Sequence, residues 1–336
     1  MEEASIKKIE TIIKESLKRG SIFCLRDGLR FAPEGNVSEN KEEAVQLLIA
    51  NGIFSLREYF LLSVIHSLGY ATVPMIVRKL ALEKRKNPQL EIPHFDIRAL
   101  KKRLKWLVQY GLLYSFSYDA ENTDTKVVIY VCTMIGWRAF RTRLMVNIPF
   151  DKLAIYRSTS DIFRRLAANS VAFSFAANEL CSEVTLHEAI LYGNDMAQKK
   201  ITIFAQAVLE NSCCKRRYLI EPVYFKIEPE VITEEQYVQQ IEERIRQLQD
   251  MIEYYIEKEA WDVKLVFVVE NLEGLMKLLS MLKQKELSFF LKYATFTSEN
   301  VIANNNYQLG TSFLKIAIVE NKGTMKLDQT SILENV

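Results

Sequence analysis

Apolar residues recur along the first third of the chain at spacings of three and four, the period of a helix with one buried face. Ile6, Ile9, Ile13 and Leu17 mark such a face between residues 4 and 19. A stretch rich in Gly, Pro and Asn runs on to Asn40, and a short helix is predicted from about Lys41 to Ala50, where Asn51-Gly52 stops it. From Leu56 the pattern is denser. Leu56, Phe60, Leu61, Val64 and Leu68 predict an amphipathic helix closed by Gly69. Thr72 stands two residues before Pro74, a favourable helix start, and Met75, Ile76, Leu80 and Leu82 carry a second helix toward Lys86. After a loop holding Pro88 and Pro93, Asp96 caps a third helix, Ile97 to Tyr110, which Gly111 ends. The period then shortens to that of strands at Leu112 to Tyr118 and Lys126 to Thr133, around a polar tip from Asp119 to Thr125. Gly136 precedes a final helix, Trp137 to Val146.

Three helices, a hairpin and a closing helix in this order predict a winged helix-turn-helix over residues 55–148. The run Ile129-Tyr130-Val131-Cys132-Thr133-Met134-Ile135-Gly136 resembles the end of the wing in bacterial winged-helix regulators, where a strand gives way through Thr-x-x-Gly to a helix. Residues 1–54 form a helical arm that packs onto the next domain or onto a second subunit, and residues 149–336 form a mixed α/β domain for interaction or dimerisation. The fold class is α+β.

At 100° per residue, Ile97, Leu100, Leu104, Leu107 and Val108 make the buried stripe of the third helix. Arg98, Lys101, Lys102, Lys105 and Gln109 share an arc on another side. A helix lying in the major groove presents such a face, because Arg and Lys donate to guanine or to phosphates and Gln bridges adenine. Arg103 and Trp106 flank that arc, and Arg78, Lys79, Lys84, Arg85 and Lys86 on the second helix add to the basic surface. The charge count agrees. The whole chain carries +2, yet Ser55 to Asn147 holds 15 Lys and Arg against 7 Asp and Glu, which is +8 and leaves −6 to the rest. Such a concentration is the electrostatic footprint of a phosphate-binding surface, or else a solvated basic face. The wing tip argues the other way, with Asp119, Glu121 and Asp124 and no cation before Lys126.

Beyond Pro149 helices and strands alternate. An amphipathic helix is predicted from Asp161 to Leu180 with Ser160 as its cap, and strands at Ile201 to Leu209, which also fits a helix, and at Tyr218 to Ile227. Thr233 opens a long helix with the capping spacing Thr233-x-x-Gln236, running to about Glu259. Lys264 to Glu270 is a buried strand, Leu272 to Lys285 a helix, Phe289 to Phe296 a strand, and Tyr307 to Val319 one or two more. Val238, Ile241, Ile245, Leu248, Ile252 and Tyr255 form a heptad seam on the long helix, suited either to a second chain or to the sheet of its own domain.

This order behind a winged helix, with Tyr224-Phe225-Lys226-Ile227-Glu228 followed by a long acidic helix, resembles the replication-relaxation family of plasmid and integrative-element proteins. The resemblance implies a degenerate restriction-endonuclease-like core and a role in replication, mobilisation or control of a mobile element, with no particular chemistry. A nuclease core of that kind needs an Asp and a Glu-x-Lys on adjacent strands, two carboxylates for magnesium and a Lys for the attacking water. The Glu-x-Lys triplets present, Glu39-Asn40-Lys41 and Glu320-Asn321-Lys322, do not follow an Asp-bearing strand. Strand alternation sets Lys226 and Glu228 on one face and Glu221 on the other, leaving Glu228 as a relic ligand at most.

Other catalytic patterns are missing from the sequence. His66 is expected in a helix core, His94 beside Pro93 and His187 in a strand or turn, and no phosphate-loop or nucleophile-elbow motif occurs. Five cysteines without Cys-x-x-Cys spacing indicate reduced thiols and no zinc site. The vicinal Cys213-Cys214 beside Lys215-Arg216-Arg217 is structural or a thiol sensor. No apolar run approaches a membrane span, and the first helix lacks a signal-peptide core, so a cytoplasmic location is expected. The sequence therefore predicts a non-enzymatic protein without cofactors that binds double-stranded DNA as a homodimer, with the arm and the heptad seam as the interfaces. Its role would be in replication, mobilisation or transcription. A nuclease with unrecognised carboxylates and a protein-binding winged-helix scaffold are the other readings.

Overall fold

The computed structural model describes residues 15–19, 21–23, 40–52, 54–89, 96–119, 126–176, 178–193, 198–211, 214–226, 233–259, 262–284, 294–304, 313–319 and 324–330. The chain divides into two compact units, one of Asp27–Ile162 and one of Met1–Arg26 with Phe163–Val336.

The Asp27–Ile162 unit is built from α1 (Asn40–Ala50), α2 (Leu56–Leu68), α3 (Val73–Lys86), α4 (Ile97–Gln109), β1 (Leu113–Asp119), β2 (Lys126–Cys132) and α5 (Met134–Leu144), with a 3-10 turn at Ala154–Tyr156. Ser55 starts α2 with a reciprocal cap, its own N–H donating to Glu58 Oε2 at 2.7 Å. Helices α2 and α4 end near Gly69 (φ 68°) and Gly111 (φ 70°), in the left-handed half of backbone space that glycine enters without a Cβ penalty. Strands β1 and β2 pair antiparallel from Leu113↔Cys132 to Asp119↔Lys126, and the α2–α3 connection joins them through a two-way backbone bridge between Ala71 and Tyr130. Leu61, Leu62, Ile65, Leu68, Ile76, Leu100, Leu104, Leu107, Ile129 and Phe140 are buried together as the core.

The last helix of this unit begins earlier than its sequence implies. Thr133 caps it, and Gly136 lies inside the first turn instead of before it. The Thr133 hydroxyl accepts from the Gly136 N–H at 3.1 Å and donates to the Gly111 carbonyl at 2.7 Å, tying the start of α5 to the end of α4. A Cβ on residue 136 would stand 2.2 Å from the Leu112 carbonyl oxygen, so glycine is dictated here by close approach.

In the second unit, a seven-stranded mixed sheet has the order β11-β10-β9-β8-β7-β6-β3, from β3 (Cys181–Leu186), β6 (Ala205–Glu210), β7 (Lys215–Val223), β8 (Asp262–Val269), β9 (Ala294–Thr297), β10 (Phe313–Val319) and β11 (Thr324–Thr330). A separate hairpin pairs β4 (Ala189–Tyr192) with β5 (Lys199–Thr202). The helices are α6 (Thr159–Ala176, which crosses the boundary between the units), α7 (Glu234–Glu259), α8 (Leu272–Gln284) and α9 (Glu299–Asn304). Strands β7, β8 and β9 run parallel, joined by the crossovers α7 and α8, while β3, β6 and β7 form an antiparallel meander. Alternation sends Leu219, Leu265, Phe267 and Phe296 to the face covered by α7 and α8, in one cluster with Ile241, Ile245, Leu248, Ile252 and Leu278. The other face meets α6, where Phe175 and Tyr218 lie 5.0 Å apart between ring centroids.

Three expectations are corrected in this unit, and the β reading of Ile201 to Leu209 holds against the helical one, with the chain there divided in two. Helix α6 starts at Thr159 and ends at Ala176, with the Ser158 hydroxyl accepting from the Asp161 N–H at 3.2 Å in the role assigned to Ser160. From Leu166 to Ala176 it is buried on every side, so it is not amphipathic there. Residues 199–210 are two strands, β5 and β6. The heptad seam of α7 is consumed by its own sheet, which removes it as an interface between chains. The capping box at Thr233 is formed as predicted, with reciprocal bonds of 3.3 Å to Gln236. The end of the first segment packs in this unit too: Leu17 joins the core cluster, and the Ser21 N–H donates to the Glu270 carbonyl at 2.7 Å.

Candidate nucleic-acid interface

Helix α4 is anchored from within. Asp96 Oδ2 accepts from the Ala99 N–H at 3.3 Å to start it, and Leu100, Leu104 and Leu107 are fully buried. Ile97, expected in the same stripe, is 54% exposed, because the first helical residue extends past the core, and Val108 is half-buried. One of the five cations on α4 is also internal to the fold. Arg103 Nε donates to Glu58 Oε1 at 2.5 Å, and its guanidinium carbon sits 4.4 Å from the centroid of the Trp106 ring. Burial alone would push the Glu58 carboxyl up, but the bonds from Arg103 and from the Ser55 hydroxyl and N–H outweigh it and hold the group below the ordinary carboxylate range. Trp106 in turn packs on Tyr110, with centroids 4.6 Å apart.

The structure brings Arg98, Lys101, Lys102, Lys105 and Gln109 together on the exposed side of α4. The four cations form no ion pair among the described residues, so no described side chain offsets their charge. On α3 the predicted residues divide. Lys79 is half-buried and bound to Glu83 at 2.6 Å, and Arg78 and Arg85 are engaged in contacts of their own. Lys84, Arg85 and Lys86 are exposed in the last turn, where cations also complement the helix dipole. In the hairpin Asp119 stands opposite Lys126 across the ladder; the other acids expected at its tip, Glu121 and Asp124, lie outside the described residues, as does His94.

A second basic feature of the same unit escapes a search confined to the third helix. Met134, Trp137, Arg138 and Arg141 on α5, with Phe150 and Lys152, line a groove of about 450 Å³. Trp137 Nε1 donates to the Ile148 carbonyl at 2.9 Å, while Arg141 covers the ring at 4.8 Å. The signal was present in Trp137-Arg138 and Arg141, one helical turn apart. His66 packs against the Phe150 that lines the groove: its Nε2 donates to the Pro149 carbonyl at 3.1 Å, its ring contacts those of Phe140 and Phe150, and burial lowers its pKa.

The carboxylates weighed for a metal site are accounted for differently. Strand β7 ends at Val223, so the alternation carried on to Lys226 and Glu228 does not apply past that point, and Glu228 lies outside the described residues. Glu221 is 4% exposed, and its two oxygens accept from Nε and Nη2 of Arg244, each at 2.9 Å. Arg244 Nη2 also donates to the Thr202 carbonyl at 2.7 Å. Burial would lower the pKa of Arg244, and the charge and hydrogen bonds of Glu221 more than reverse this. Among the described residues no group of three or more His, Cys, Asp or Glu side chains is placed to hold a metal ion. The Cys132 thiol is buried and pushed far up by desolvation, a structural group; Cys213 lies outside the described residues. His187 occupies the turn after β3 at φ 55°, with Nδ1 3.0 Å from Arg165 Nη1.

No described helix is long and apolar enough to cross a membrane. No protein-family model matches the chain, and no curated protein matches it. Among solved structures, protein VC1899 from Vibrio cholerae is similar to it at 11% identity, covering 88% of this chain and 59% of that one, with a TM-score of 0.28. The chain spans about three-fifths of that protein's length.

Proposed function

We propose that the Asp27–Ile162 unit is a winged helix-turn-helix that binds double-stranded DNA through α4, in a protein that acts in replication, mobilisation or transcription without catalysing a reaction. One observation carries this reading. The exposed arc of α4 holds Arg98, Lys101, Lys102, Lys105 and Gln109 on a helix pinned by three fully buried leucines and by the Arg103–Glu58 pair. A rigid cationic face whose charges meet no described carboxylate fits the two needs of groove binding, phosphate neutralisation and a fixed register. The order of three helices, hairpin and closing helix supports it, and so does the Ala71–Tyr130 bridge that extends the hairpin. In the other unit a helix, several strands, a long helix, a strand, a helix and a strand follow one another, the element order on which the resemblance to the replication-relaxation family rests. Glu221 has both oxygens bonded to Arg244, so its charge is met inside the fold and it is a poor candidate for one of the two carboxylates a nuclease would need.

Selection of bound sequences from a random duplex pool at low salt tests the proposal. Enrichment of a motif, with a shift of the selected duplex at sub-micromolar protein, is the expected result. No retention of duplex above that of a basic control protein would remove the proposal.

A further inference from the structure

Helix α5 turns toward solvent a face that the fold leaves uncovered. Met134, Trp137 and Arg141 stand at spacings of three and four, on one side of the helix, and with Phe150 and Lys152 they line the groove of about 450 Å³. A second groove, of about 380 Å³, adjoins it: Trp137, Arg141 and Asn147 belong to both, and Met145 and Val146 line the further end. From Met134 to Met145 the lining extends over about 16 Å of the helix axis. The floor is apolar and the rim is positive. No Asp or Glu is among the described residues of either groove. Lys152 makes no ion pair among the described residues, and Arg141 rests on the Trp137 ring without a carboxylate. Arg138 lines both grooves too, but it is engaged in a contact of its own and adds nothing to this count. Asp151, next to Lys152 in sequence, is bound to Arg157 at 2.6 Å. Met145 supplies an independent sign. It ends α5 at φ 54°, in the left-handed region that favours Gly or Asn, and it is 92% exposed. Neither backbone preference nor burial accounts for a long apolar side chain there, whereas a docked partner covers it. Methionine also adapts readily to varied apolar surfaces, and Met134, 38% exposed, stands at the other end.

We infer that these adjoining grooves dock an acidic amphipathic segment of a partner protein, its apolar side chains on Met134, Trp137, Phe150 and Met145 and its carboxylates on Arg141 and Lys152. Charge complementarity selects an acidic occupant, and the apolar floor selects one that brings apolar anchors. A nucleic-acid strand fits less well. Its bases are held by stacking on aromatic rings, and Arg141 already lies over the Trp137 ring at 4.8 Å. The surface shares no residue with the arc of α4, so the inference stands or falls apart from the duplex-binding reading.

The test uses the full chain and a fluorescein-labelled peptide of about 12 residues, roughly 18 Å long as a helix, in which Leu and Phe recur at spacings of three and four among Glu and Asp. Fluorescence anisotropy should show saturable binding at micromolar protein. A peptide of the same composition with its apolar residues scattered round the helix, and one with Lys in place of the acids, should each bind about tenfold or more weakly. Arg141→Glu combined with Lys152→Glu, both at exposed positions where folding is not at stake, should weaken the acidic peptide about tenfold or more and strengthen the Lys peptide. A misfolded variant does not give that reversal. Met145→Asn suits the backbone, so it should weaken the acidic peptide without lowering the unfolding midpoint. The chain with Arg98, Lys101, Lys102 and Lys105 all changed to Ala should bind the acidic peptide as the parent does. No saturable binding, binding untouched by the double reversal, or equal binding of the scattered peptide would each overturn the inference. So would a random duplex or single strand that displaces the peptide from the four-Ala chain, which assigns the grooves to nucleic acid. A dimer seen by light scattering that the double reversal dissolves would overturn it too, by assigning them to a second copy of the chain.

Discussion

Helices α4 and α7 are built on one plan and carry opposite charge. Each buries an apolar stripe, and each spends one arginine on a buried carboxylate, Arg103 on Glu58 and Arg244 on Glu221. The remaining polar faces differ. Helix α4 is left with four cations and no acid, while α7 is left with eight acids against two cations. Amphipathicity places both helices in the fold, so it cannot say which one meets a partner. In the function proposed above the sign of the uncovered face does that, because a polyanion would be attracted to one helix and repelled by the other.

The sharpest way to probe the shared plan is to break each internal pair. Arg244→Met strips the nearly fully buried Glu221 of both its bonds and should cost about 3–5 kcal/mol in urea unfolding. Arg103→Met should cost less, about 3 kcal/mol, because Ser55 still bonds Glu58 and Arg103 is itself about one-third exposed. The second loss carries a pH signature. In the parent, Glu58 is held below its ordinary pKa, so its contribution is complete above about 4.5 and fades as pH falls through the folded value. Without Arg103 burial dominates and raises the pKa, so the deficit of the variant should be largest near pH 7 and narrow toward pH 5. A deficit constant over that range would mean that the pair contributes packing alone.

Next in size, Gly136→Ala should cost about 1–3 kcal/mol by overpacking against the Leu112 carbonyl at the α4–α5 junction, read as a lowered unfolding midpoint. On DNA, Arg98→Ala removes the cation nearest the start of α4, where recognition helices reach deepest; it should cost roughly 1–3 kcal/mol and relax preference at one position. Lys105→Ala, nearer the other end, should leave preference alone and reduce the slope of log affinity against log salt by about 0.9. The smallest effect completes the comparison. Arg246→Ala removes an exposed arginine from the acidic helix and should change neither slope nor affinity; a change comparable to that of Lys105→Ala would erase the distinction between the two helices.

Much of the Asp27–Ile162 unit was legible because its signals are local. Caps at Asp96, glycines at 69 and 111 and the period of α4 act within one or two turns, and they fix the elements that carry Arg98 to Gln109. The start of α5 was misplaced because Gly136 reads as a helix breaker, whereas its purpose is a contact with Leu112, distant in sequence. Ile97 has the right phase to be buried, but phase does not say where a core ends. In the other unit the strands β3, β4 and β11 went unread. Strand β3 has a half-exposed, polar sequence at the sheet edge, and β11 is polar at alternate positions, so neither shows the apolar run that marked β8. Partner choice was least legible of all. Arg103 and Arg244 look like surface cations in sequence, and only the fold reveals the buried carboxylate opposite each.

The central claim is that the exposed face of α4 supplies the electrostatic free energy of duplex binding. Its most direct test is the salt dependence of affinity for one selected duplex, measured for the parent and for the chain with Arg98, Lys101, Lys102 and Lys105 changed to Ala, both verified as folded. With Arg98 reading a base and the three lysines on phosphates, the slope should fall by about 0.9 per lost phosphate contact, close to 3 in all, with affinity reduced at every salt concentration. A variant that binds with the parent's slope and affinity would contradict the claim and place the DNA, if it binds at all, elsewhere on the protein.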